Sequence, residues 1–165
     1  MILEPIRPKV LGVRVLPNVD PQLARDLKLA PHHRAAGLLT CTIDDCLYAA
    51  LDAATKFADV DVVFAKSFYA GSAHASGPLS GEILGILASS DEEEVTSGVT
   101  AALEYLERKA CFYAADDAGE LAFFPHVIES TGRYLSEQAA VEPGTPMAYL
   151  IAPPIEATVA LDAAL

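Results

Sequence analysis

Ala50-Leu51-Asp52-Ala53-Ala54 returns as Ala160-Leu161-Asp162-Ala163-Ala164, a spacing of 110 positions. The agreement extends upstream. The apolar run Gly37-Leu38-Leu39-Thr40-Cys41-Thr42 and the polar break Asp44-Asp45 precede the first copy. Met147-Ala148-Tyr149-Leu150-Ile151-Ala152 and the break Pro153-Pro154 precede the second. Each stretch reads as a buried strand followed by a helix at the same offset. A period near 110 is domain-sized and too long for a solenoid. The chain therefore reads as two copies of one module, residues 1–112 and 113–165. The first continues well past the motif and the second ends one residue after it, so a module and a half, truncated in its second copy, is expected.

Period and punctuation fill in the elements. Val10 to Leu16 is β-branched and reads as a strand, and Asp20-Pro21 opens a helix running to about Leu29, with Leu23, Ala24 and Leu27 inward. A strand at Ala36 to Thr42 leads into a helix from about Asp45 to Ala58, on which Cys46, Ala50, Ala53 and Phe57 form one apolar stripe. Strands at Val60–Lys66 and Glu82–Ala88 flank a Gly/Ala/Ser-rich loop, Phe68–Ser80. A helix then follows the acidic run Asp91–Glu94, where Ser90 with Glu93, or Asp91 with Glu94, can make a capping box. Its inward face is Val95, Val99, Leu103, Leu106 and Ala110. The first copy is β-α-β-α-β-β-α. The second repeats the first four elements: strand 121–128, helix 131–140, strand 147–152 and a helix from Ile155. This alternation predicts an α/β chain, an α+β sandwich with a mostly antiparallel sheet flanked by helices. A half-copy is expected to leave sheet edges open and an apolar face uncovered.

Composition narrows the functions. With 52% apolar residues the 165-residue chain can bury a core, and no apolar run has the length of a membrane span. Eleven Lys+Arg against 23 Asp+Glu leave a net charge of −12, which repels nucleic acid and anionic membranes but not a small cation. The N-terminus lacks a signal-peptide pattern, so a cytosolic chain is expected. Cys41, Cys46 and Cys111 are odd in number and widely spaced, and read as small buried residues.

Ile6-Arg7-Pro8, Ala24-Arg25-Asp26-Leu27-Lys28-Leu29, Ala53-Ala54-Thr55-Lys56, Ser67-Phe68-Tyr69-Ala70-Gly71, Ser130-Thr131-Gly132-Arg133-Tyr134-Leu135-Ser136 and Met147 to Pro154 stand in family order. Across essentially its whole length the chain resembles the EutL family, the ethanolamine-utilisation shell proteins of bacterial microcompartments. That resemblance implies two fused, circularly permuted shell domains per chain, the second incomplete here. It implies a flat homotrimer tiling with other shell proteins into the microcompartment shell, with a small pore in each subunit. Ethanolamine is associated with that pore, and cobalamin with a trimer-surface site in some members. No cofactor is required.

Read from the residues alone, Asp44 and Asp45 cap a helix, Glu82 is a solvated carboxylate opening a strand, and Phe112 packs in a core. By resemblance Asp44, with Asp45 beside it, Glu82 and Phe112 correspond to pore-lining residues. Carboxylates with an aromatic face suit a primary ammonium. The loop around His74 has no phosphate-cradling G-K-[ST] and no base placed for a serine nucleophile; its composition reads as a gate. His32 and His33 follow a proline at a helix end, where imidazoles meet free carbonyls. For them, and for His74 and His126, sequence places no metal-ligand partner, so no metal is expected. No complete catalytic set assembles, so a non-enzymatic shell protein is expected, ahead of a stand-alone ligand-binding or enzyme domain on a related α/β scaffold.

Overall fold

The computed structural model describes residues 3–68, 82–118 and 121–165, with Phe68 and Glu82 described by their backbone alone. The first sheet has the order β2-β3-β5-β4, built from β2 (Val10–Leu16), β3 (Ala35–Cys41), β4 (Asp61–Phe68) and β5 (Glu82–Ser89). The second, β1-β6-β7-β8, comprises β1 (Glu4–Ile6), β6 (Phe112–Ala114), β7 (Ala122–Ile128) and β8 (Met147–Ile151). Every strand pair is antiparallel. The expected α+β sandwich is what forms. Sequence reading passed over β1 and β6, whose three residues each are too short to show a period.

The first sheet is apolar on both faces. Leu39 and Cys41 of β3, with Ile83 and Leu87 of β5, face the helices α2 (Asp44–Phe57) and α3 (Glu92–Arg108) in the main core. Ala36 and Ile86, from the opposite face, join Val19 in a smaller cluster closed by Ala24 and Leu27 near α1 (Pro21–Asp26). A strand covered on both sides reads as a continuous apolar run, as Ala-Ala-Gly-Leu-Leu does. At Gly37 a Cβ would lie 2.5 Å from Val99, so α3 rides directly on the strand backbone. The main core continues into the second sheet through Phe112 and Phe124.

Several expected details shift. α1 ends at Asp26 rather than near Leu29, because Lys28 takes a left-handed φ of 54° and cannot continue the turn. Leu23 is exposed. Phe57 does not complete the α2 stripe: at the helix end it is 75% exposed, whereas Cys46, Ala50 and Ala53 are buried. On α3 the cap is Asp91, accepting from Glu93 N–H at 2.8 Å. Glu94 does not close a capping box; it accepts from the backbone N–H of Asp59 at 2.7 Å. The expected gate, residues 69–81, lies outside the described residues, and Phe68 itself belongs to β4.

The 110-residue repeat is visible in the backbone. α4 (Arg133–Ala139) and α5 (Pro154–Ala164) follow β7 and β8 as α1 and α2 follow β2 and β3. Ala140, after α4, has the same φ of 54° as Lys28 after α1. The environments differ. α2 is buried beside α3 on the first sheet, while α5 leaves Ile155, Val159, Leu161 and Leu165 exposed. No described helix is long and apolar enough to cross a membrane.

Candidate functional site

Asp44 and Asp45 do not cap α2. The N-cap is Ile43, without a side-chain bond, and the two carboxylates occupy the first turn, where they suit the positive end of the helix dipole. Asp44 Oδ1 accepts the N–H of Asp45 at 2.9 Å. Its Oδ2 accepts from Ser67 Oγ on β4 at 2.5 Å, and Ser67 in turn lies 3.3 Å from the Tyr48 hydroxyl. Asp45 Oδ1 accepts from the Tyr149 hydroxyl on β8.

Two adjacent, half-buried carboxylates are thus held by hydroxyls from β4 and β8. Burial pushes the Asp45 carboxyl upward; the Tyr149 hydrogen bond opposes this, and the neighbouring Asp44 charge adds to it. Burial, together with the Asp45 hydrogen bond and charge, pushes the Tyr149 phenol far upward, so it stays a protonated donor. Tyr48 and Tyr149 also line a cleft of about 300 Å³ with Ala65, Tyr134, Leu135 and Gln138. Neither carboxylate lines that cleft; Tyr149 connects the two, with its hydroxyl on Asp45 and its side chain in the cleft wall.

The other two expected site residues are Glu82 and Phe112. Glu82 opens β5 with its backbone opposite Phe68, and its side chain is outside the described part. Phe112 is 2% exposed, its ring stacked 5.1 Å from Phe124. Phe124 meets Tyr149 edge-on at 5.4 Å. The Phe112 ring thus reaches Asp45 through two further rings and presents no free face to solvent within this chain. Sequence reading missed Ser67, Tyr48 and Tyr149. Tyr149 stands 104 positions from its partner Asp45, and no local spacing announces such a contact.

The histidines also differ from expectation. His33 meets no free carbonyl; its Nδ1 accepts from Ala30 N–H at 3.2 Å and its Nε2 lies 3.0 Å from Asp61. His126 is bonded to the Tyr105 hydroxyl at 2.6 Å and stacked on Phe124. Cys41, Cys46 and Cys111 are free and buried, and burial raises the Cys41 thiol to about 11, which leaves it inert at neutral pH.

No family model matches the chain. The bacterial microcompartment shell protein EutL of Clostridium perfringens is 47% identical over 160 residues, covering 97% of this chain and 74% of that protein. The EutL shell protein of Escherichia coli is also 47% identical, over 163 residues, with 99% and 74% covered. The crystal structure of ethanolamine utilization protein EutL from Leptotrichia buccalis superposes with a TM-score of 0.89 at 48% identity, over 98% of this chain and 75% of that one. With nearly half of its residues shared over almost its whole length, and the same fold, the chain belongs to the EutL family of bacterial microcompartment shell proteins.

Proposed function

We propose that this shell protein acts without catalysis, as a homotrimeric tile assembled with other shell proteins, and that its carboxylate pair forms part of a pore selecting small primary ammonium compounds such as ethanolamine. The modules are residues 1–112 and 113–165. The observation that carries the reading is the pair Asp44 and Asp45, half-buried and braced by Ser67 and Tyr149 beside a small cleft. A cation entering there meets fixed acceptors that need no reorganisation, and Glu82 is the further carboxylate that the family resemblance assigns to the pore. Phe112 acts behind them, holding Phe124 and hence Tyr149 in place. The net charge of −12 favours cations generally, and the exposed apolar surface of α5 favours association.

Titration calorimetry with ethanolamine tests the pore. Asp45→Asn and Glu82→Gln are each expected to weaken binding about tenfold, the loss of one charge-assisted hydrogen bond. Unchanged affinity in both variants would remove these residues from the site. Sedimentation velocity tests the tile: a mass of three chains is expected, and a stable monomer overturns the trimer.

A further inference from the structure

Sequence places no ligand partner beside His32 and His33, but the fold does. Asp61 opens β4, and its Oδ2 lies 3.0 Å from His33 Nε2 and 4.0 Å from His32 Nε2. One donor atom from each of the three residues falls within 4.8 Å of the others. The imidazole rings meet edge-on with centroids 4.2 Å apart. The His33 side chain is 4% exposed, while those of His32 and Asp61 are 65% and 50% exposed. One ligand is therefore held rigidly and two face arriving solvent.

We propose that His32, His33 and Asp61 form a binding site for a transition-metal dication with zinc-like preferences, its remaining position filled by water. Two imidazoles and one carboxylate are the donor set of open tetrahedral zinc sites, whereas calcium and magnesium favour oxygen alone. Bonds of about 2.0 Å in a tetrahedron put donors about 3.3 Å apart, a value inside the spread seen here.

Occupation requires a rearrangement. Because Ala30 N–H donates to His33 Nδ1, the ring proton sits on Nε2 and points at Asp61. A metal on Nε2 displaces that proton and gives up the Ala30 bond. It also draws on a carboxylate whose Oδ1 lies 3.4 Å from Arg133 Nη2. These costs place the dissociation constant on the order of micromolar rather than nanomolar.

Zinc chloride titrated into chelator-treated protein, followed by calorimetry, is expected to show one ion per chain. Cobalt(II) in place of zinc is expected to give the visible bands of a tetrahedral nitrogen–oxygen site, without the near-ultraviolet charge-transfer band of a thiolate. His32→Ala, at a largely exposed position, is expected to weaken zinc binding at least tenfold with an unchanged melting temperature. Asp61→Asn should weaken it in the same direction. No uptake at millimolar zinc, uptake unaffected by His32→Ala, or a thiolate band from the cysteines would each overturn the assignment.

Discussion

The backbone N–H of Gly132 donates to Asp52 Oδ2 at 2.7 Å, so a carboxylate on α2 caps a helix 80 residues further along the chain. Gly132 has no side chain to cap α4 itself, and Asp52 Oδ1 accepts a second N–H, from Leu135, at 2.8 Å. The fully buried carboxylate is compensated by Lys56, whose Nζ lies 3.4 Å away and also donates to Ser130 O at 2.9 Å. Asp52→Ala removes the acceptor for two helix N-terminal donors and strands the lysine. The expected cost is about 3–5 kcal/mol, with Asp52→Asn milder because one oxygen remains. Urea unfolding measures both. A loss of under about 0.5 kcal/mol in the alanine variant, the range of ordinary surface changes, would show that α4 is held by other contacts.

Gly132 carries the other half of the same joint. A Cβ there would lie 2.4 Å from both Asp52 O and Thr55 Oγ1, and neither backbone nor buried hydroxyl can yield. Gly132→Ala is therefore expected to cost more than about 2 kcal/mol through overpacking. Combined with Asp52→Ala the losses should fall well short of additive, since each variant separates α4 from α2. Additive losses in a double-mutant cycle would mean that the two residues act independently.

Much of this joint was present in the sequence as letters without meaning. The repeated Ala-Leu-Asp-Ala-Ala marks the duplication, and local period and capping residues locate both large helices to within about two residues. Asp52 stands there beside the stripe of Cys46, Ala50 and Ala53 with nothing local to mark it as a cap. Only the return of α4 against α2 turns it into a cap, and that pairing is fixed by tertiary packing that no local pattern encodes. The carboxylates Asp44 and Asp45 were legible as the polar break before a helix, although they do not cap it, and their place at a pore came from the family resemblance alone. Tyr149 was not, since a tyrosine in a strand is equally well placed in any core. Phe57 failed for the opposite reason: its helical phase is right, but α2 outruns the surface that covers it.

Lys28 and Ala140 share a φ of 54°, a conformation that costs an L-residue roughly 1–2 kcal/mol and glycine far less. Both follow a short helix, where a left-handed residue serves as a stop. Ala140→Gly and Lys28→Gly are each expected to stabilise the protein by about 0.5–1 kcal/mol, the left-handed gain less glycine's extra unfolded-state entropy. Thermal melting gives the sign directly. A lower melting temperature in both variants would contradict the left-handed assignment.

His126 links stability to pH. Burial lowers its pKa from the ordinary 6.5, and the charges of Lys56 and Lys109 lower it further. The native state therefore binds fewer protons than the unfolded chain between that ordinary value and the depressed native one. Stability from this group is complete above about pH 6.5 and drains away as pH falls through the window to the native pKa. His126→Phe keeps an aromatic ring against Phe124 but gives up the Tyr105 hydrogen bond. At pH 7.5 the variant is expected to be less stable by about 1 kcal/mol, the net worth of a hydrogen bond. As pH falls, its deficit should narrow, because the wild-type loses a contribution that the variant never had. Asp45, whose raised carboxyl works at lower pH and with the opposite sign, is common to both proteins and cancels in the difference. Urea unfolding of the pair from pH 8 to pH 5 decides the matter: parallel stability curves would mean that protonating His126 costs the fold nothing.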